Sequence, residues 1–121
     1  MTTITRIHDV AANLTPTYRD EYDLQTALAG ALEQAGIRVD REHRLSDGES
    51  RVDMWAWKSG VAIEVKIKGQ AAQVIRQLSR YARCPEVNSV VLVTTKASHH
   101  HVPAQLHGKP IVLVSLIGGG L

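Results

Sequence analysis

The sequence predicts an α/β domain in which a mixed sheet packs between helices. Apolar residues recur with helical spacing around residues 20–35 and again over 70–83, and three short strand-like segments lie between those helices. Two nearly uninterrupted apolar runs follow, Val90-Val91-Leu92-Val93 and Ile111-Val112-Leu113-Val114. Runs without polar alternation suit central strands covered on both faces. With 121 residues there is room for one core and one site. The whole chain, 1–121, is therefore expected to form one domain with its core at about 17–116.

Residues 1–15 show no sustained periodicity and read as an N-terminal arm or a short edge element. Thr15 or Thr17 can cap the first helix, whose opening turn carries Asp20, Glu21 and Asp23, charges that suit the positive end of the helix dipole. Leu24, Leu28 and Leu32 then repeat along one face, and Gly36 is a natural stop. Ile37–Leu45, Arg51–Trp57 and Val61–Ile67, separated by turns at Ser46-Asp47-Gly48 and Ser59-Gly60, read as a three-strand meander. Gly69 breaks the run, and Gln70–Arg83 follows as a second helix burying Val74, Ile75, Leu78 and Ala82. Strands over Asn88–Thr95 and Pro110–Ile117, joined by a short polar or helical link, complete the order. The glycines at 118–120 belong to a flexible tail, 118–121.

Composition narrows the function classes. With 44% hydrophobic and 21% charged residues the chain is neither disordered nor fibrous. It has no run of roughly 20 apolar residues to span a bilayer and no basic-then-apolar N-terminus. The expectation is a soluble, cytoplasmic protein that does not engage membranes. The lone Cys84 has no partner for an internal disulfide or a zinc site and reads as a bystander thiol. No Gly-rich phosphate loop or supported Ser-His-Asp set is present, and no organic cofactor is expected. His99, His100 and His101 are adjacent, cannot converge on one ion, and read as a mobile loop.

Charge is uneven along the chain. Residues 51–83 hold seven basic side chains (Arg51, Lys58, Lys66, Lys68, Arg76, Arg80, Arg83) against Asp53 and Glu64, a local balance of +5. An anionic partner would bind this middle third.

The same segment holds the candidate chemistry. Glu64 and Lys66 stand two apart on one strand, so they project from one face about 7 Å apart. A hairpin loop with an even number of residues brings Asp53 to that face as well. Ala62, Glu64, Lys66 and Lys68 then share one side, and Val61, Ile63, Val65 and Ile67 the other. Two carboxylates held close raise the cost of each other's charge, which a divalent, oxygen-preferring cation such as Mg²⁺ relieves. A lysine beside such an ion suits phosphodiester hydrolysis. Trp55 and Trp57 fall on the face of Asp53, where either could stack on a base, although burial of at least one under a helix is the plainer expectation.

An Asp, then Glu-x-Lys about ten residues later across a tight hairpin and between two helices, resembles the PD-(D/E)xK nuclease superfamily. Asp53, Glu64 and Lys66 match its signature, while Val52 stands where the naming proline would be. Gln77-Leu78-Ser79-Arg80-Tyr81 resembles the Gln-x-x-x-Tyr element of RecB-type nucleases. Glu21 and Gln25 resemble the Glu-x-x-x-Gln opening of the VRR-Nuc branch, with Glu42 as the rival extra carboxylate.

The resemblance implies a restriction-endonuclease-like core: helix, three strands, helix, strand, strand. It also implies a Mg²⁺-dependent DNA endonuclease, with Mn²⁺ able to substitute, directed by DNA structure such as branches or junctions. Asp53, Glu64, Glu21 and the Val65 carbonyl would hold the metal, and Lys66 and Gln77 would join the catalytic set. Lys68, Gln73, Arg76, Arg80 and Tyr81 would contact DNA. A chain this short has little surface for a separate reading domain, so a homodimer with two sites is expected. The rival reading is a nuclease-like module that binds DNA or a partner without cutting it.

Overall fold

In the computed structural model, residues 2–116 are described, and the tail at 118–121 lies outside them. The helices are α1 (Thr3–Ala12), α2 (Glu21–Gln34) and α3 (Ala71–Arg83). The strands are β1 (Asp40–Arg44), β2 (Arg51–Ala56), β3 (Val61–Lys66), β4 (Ser89–Thr94), β5 (Gln105–Leu106) and β6 (Lys109–Ser115), with a 3-10 turn at Ala97–His101 between β4 and β5. They form one six-stranded mixed sheet in the order β1-β2-β3-β4-β6-β5. β1, β2 and β3 are an antiparallel meander. β3 pairs with β4 and β4 with β6 in parallel, and β5 returns antiparallel on the edge.

The alternation along β3 assigns its two faces. Ile63 and Val65 pack with Met54, Val91 and Val93 under Leu24, Leu28 and Leu32 of α2 and Ile7 and Ala11 of α1. Ala62 packs on the other side with Trp55, Val90 and Leu92 under Val74, Leu78 and Tyr81 of α3. Covered from both sides, β4 has all six residues buried, as its uninterrupted apolar run requires. α3 carries the chain across the sheet from β3 to the parallel β4, which leaves the start of α3 beside the C-terminal ends of both strands.

Several sequence expectations need correction. Residues 3–12 are a helix rather than an arm or an edge element. Thr2 caps it by accepting from the Thr5 N–H, and Ile4, Ile7, Val10, Ala11 and Leu14 all pack against the sheet. The core therefore begins well before residue 17. The next helix is capped by Asp20, whose carboxylate accepts from the Asp23 N–H at 2.8 Å, and not by Thr15 or Thr17. In α3, Ile75 is only half-buried and Tyr81 takes the inward position.

The histidine run is not a mobile loop. His99 is fully buried, with Nδ1 2.6 Å from the Thr94 hydroxyl and Nε2 2.8 Å from the Gly69 carbonyl. His100 and His101 are exposed. Among the described residues no helix is long and apolar enough to cross a membrane.

Candidate active site

The β2–β3 hairpin sets the geometry. Its ladder runs Ala56 to Val61, Trp55 to Ala62 and Met54 to Ile63 around a four-residue turn, the even loop that parity required. One further step brings Asp53 opposite Glu64, and there side chains take over the hydrogen bonding. The Asp53 N–H points at Glu64 Oε1, 3.4 Å away, and the Val65 N–H donates to Asp53 Oδ2 at 2.8 Å. Buried backbone donors must find acceptors. Here the two carboxylates supply them, and they are thereby drawn into the seam between the strands.

Glu64 is 2% exposed. Lys66 Nζ lies 3.2 Å from Glu64 Oε2, and the Tyr81 hydroxyl lies 3.1 Å from Oε1. Glu21 joins from the start of α2: its Oε1 accepts the Ile67 N–H at 3.0 Å, just beyond the last residue of β3. Gln25, one turn along α2 from Glu21, is buried, and its Oε1 has no partner among the described residues. Glu42 pairs with Arg51 at 3.2 Å on the neighbouring strand, in a left-handed conformation (φ 54°). The structure thus brings both rival carboxylates to the margin of the Asp53–Glu64 pair.

Electrostatics follow from this crowding. Burial is the main force raising both carboxylic acids above their ordinary range. The Val65 N–H and Lys66 hold Asp53 back, while Glu42 and Glu21 push it further up. For Glu64, the Asp53 charge adds to burial, and Lys66 and Tyr81 oppose them. The Tyr81 phenol is pushed far above the usual tyrosine range, first by burial and then by Glu64. It stays protonated and is a permanent donor here.

Beside the pair opens a groove of about 290 Å³ between the end of β3 and α3. Lys66, Lys68, Gln73, Arg76, Gln77 and Arg80 line it, and among the described residues no carboxylate does. Every residue read from the sequence as a DNA contact is on this wall except Tyr81. That assignment needs correction, because Tyr81 is 1% exposed and turned toward Glu64, so it cannot reach a bound strand. Gln77 and Tyr81 share a helical face, but only Gln77 opens to the groove. Trp55 is buried and stacked on His43 with ring centroids 5.2 Å apart, which removes it as a base contact.

His99 was missed as a contributor, since nothing in a His-His-His run shows which ring turns inward. Together with Lys96 Nζ at 3.2 Å, it fixes the carbonyl of Gly69, whose φ of 102° starts the turn into α3 and forms part of the groove.

Among the described residues no three His, Cys, Asp or Glu side chains gather closely enough to hold a metal ion by themselves. Mg²⁺ does not need three. It is commonly held by one or two carboxylates, with water and phosphate oxygens filling the other positions. The donor set of Asp53 and Glu64, buried and mutually repulsive, fits such an ion. The chain matches no protein-family model, no curated protein and no solved structure at a significant level.

Proposed function

We propose that the chain is a metal-dependent nuclease of the PD-(D/E)xK type, on a restriction-endonuclease-like core, cutting DNA in a structure-directed way. One observation carries the reading: in a buried, mutually repelling carboxylate pair Glu64 has Lys66 3.2 Å away, and Lys66 lines the neighbouring groove together with Lys68, Arg76 and Arg80 and, among the described residues, no acid. Burying two carboxylates side by side costs stability unless a cation joins them. That cost marks a site built for something other than packing.

On this reading Asp53 and Glu64 hold Mg²⁺ or Mn²⁺, with the Val65 carbonyl and Glu21 as further oxygen donors. The ion, when bound, polarises the phosphate and acidifies water. Lys66 then places its ammonium where charge develops on the phosphate oxygens. Tyr81 holds Glu64 in position, and Gln77 orients the substrate from the groove wall. Lys68, Gln73, Arg76 and Arg80 contact phosphates without reading sequence. A homodimer would let two such sites address the two strands of a branch or duplex.

A second reading, a binding module that does not cut, has one observation in its favour. Both carboxylates already have protein donors, Val65 N–H for Asp53 and Tyr81 for Glu64.

Incubation with branched, flapped, single-stranded and duplex DNA in Mg²⁺, Mn²⁺ or EDTA separates the two. Cleavage that needs the metal and falls at least about 1,000-fold in Asp53→Asn and Glu64→Gln supports the nuclease. Metal-independent DNA binding with no cleavage of any substrate supports the module.

A further inference from the structure

A second cavity, of about 620 Å³, lies at the opposite end of the β2–β3 hairpin from the carboxylate pair. Ala56 in its wall is three residue steps along β2 from Asp53, about 10 Å at strand spacing. Arg6, Arg38 and Lys58 line it, against Asp40 as the one carboxylate in its lining among the described residues, and Trp57 forms part of the wall.

Trp57 is 55% exposed, one of two large hydrophobic side chains left open among the described residues. The other, Tyr22, lies on α2 with the Arg41 guanidinium 4.9 Å from its ring centroid. Trp57 is open but not loose. Its Nε1–H donates to Asp40, and its ring packs edgewise on His43 and Trp55, with centroids 4.8 and 6.3 Å away.

The charges are arranged to suit an anion. The Asp40 carboxylate is engaged by the indole N–H, and Arg6 is engaged by the Ala35 carbonyl, where it offsets the negative end of α2. Among the described residues neither Arg38 nor Lys58 forms an ion pair, and both are exposed. The N-terminal turn of α1 reaches the cavity at Thr3, adding the positive end of a helix dipole.

We propose that this cavity is a nucleotide-binding subsite, in which a base stacks on Trp57 while its phosphate is held by Arg38 and Lys58. A pre-held aromatic face beside two uncommitted cations is the combination that single-stranded nucleic acid uses, stacking with one group and neutralising charge with the other. The nucleotide can be a unit of a single strand or a free molecule. The assignment does not depend on cleavage at Asp53 and Glu64.

The test is binding in EDTA, followed by tryptophan fluorescence and by anisotropy of a labelled ten-residue oligothymidylate. Unlabelled thymidine monophosphate is titrated in parallel to tell a free nucleotide from a strand. The oligonucleotide should quench the wild-type emission. Trp57→Ala should weaken binding on the order of 5- to 100-fold, and Trp57→Phe should restore it to within about threefold, because the stacking face is kept. Arg38→Ala combined with Lys58→Ala should lower the single-strand salt slope by about 0.7, the worth of the one phosphate they hold.

Arg80→Ala reports on the other groove: it should weaken oligonucleotide affinity through that groove, while the quench reached at saturating oligonucleotide stays at the wild-type value. Wild-type affinity, quench and salt slope in the Trp57→Ala and Arg38→Ala/Lys58→Ala proteins would overturn the subsite. A protein that cuts nothing yet binds through Trp57 would remove the nuclease reading and leave this one standing.

Discussion

The Tyr81 hydroxyl sits between two acceptors, Glu64 Oε1 at 3.1 Å and the Arg51 carbonyl at 3.2 Å, with one proton to give. Both contacts are satisfied when Glu64 carries a proton and donates to the phenol oxygen, while the phenol donates to Arg51. Burial and the Asp53 charge, which raise the Glu64 acid, favour that protonated arrangement, and donation from Tyr81 opposes it. When Glu64 ionises, the phenol turns to it and the Arg51 carbonyl is released.

Tyr81→Phe removes this switching donor and leaves the ionised Glu64 with one partner fewer. The cleavage rate at saturating DNA should fall about tenfold or more while affinity stays within about twofold, since the ring touches no substrate. Stability should drop by about 1–2 kcal/mol, the cost of one buried hydrogen bond. Equal losses in affinity and rate would mean that Tyr81 reaches the DNA after all.

Stability should depend on pH in an unusual direction. Asp53 and Glu64 are raised from 3.8 and 4.5 to about 6 and about 7, and they titrate as a pair. Their folded-state values lie above the unfolded ones. The stabilisation linked to their protons is thus complete below about pH 4 and is lost as pH climbs through 6 to 7. In EDTA the Tm should fall by at least about 5 °C between pH 5.5 and pH 8. The double variant Asp53→Asn/Glu64→Gln should lose this dependence, and Mg²⁺ should raise the Tm far more at pH 8 than at pH 5.5. A flat metal-free profile in the wild type would show that the pair is not strained.

The elements that the sequence made legible are those where one periodicity dominates. Leu24, Leu28 and Leu32 announce α2, and the apolar runs announce β4 and β6. The parity of Asp53 and Glu64 follows from the loop length alone. α1 carries the same kind of stripe, with Ile4, Ile7, Val10 and Ala11 at helical spacing, but at ten residues it is too short to be stable alone and is held by packing on α2 and the sheet. The inward turn of Tyr81 and the burial of His99 depend on contacts with Glu64 and Gly69, 17 and 30 residues away. No local pattern encodes those.

Binding and cutting should separate along α3. Arg80→Ala removes one exposed cation from the groove and should lower the duplex salt slope by about 0.9 with a uniform loss of affinity across sequences. Gln77→Ala should cut the rate more than the affinity. The two quantities are read from anisotropy titrations at several salt concentrations and from single-turnover cleavage. If both variants match the wild type in both, the groove is an ordinary solvated face.

His99 tests whether the groove depends on the buried lock behind it. Its Nε2–H donates to the Gly69 carbonyl, so Nδ1 accepts the Thr94 hydroxyl, and the Thr94 oxygen in turn accepts the Lys96 N–H. His99→Ala empties a fully buried position and strands the Thr94 hydroxyl, while Lys96 alone is left on Gly69. The cost should be about 2–4 kcal/mol in urea unfolding. His100→Ala and His101→Ala, on the exposed side of the same turn, should stay within about 0.5 kcal/mol of the wild type. Because Gly69 starts the turn into α3, duplex DNA should bind His99→Ala more weakly even where the protein is fully folded. His99→Gln, which can still donate to Gly69, should recover part of both losses. Wild-type stability and affinity in His99→Ala would show that Gly69 is held by its own backbone and that the histidine is filler.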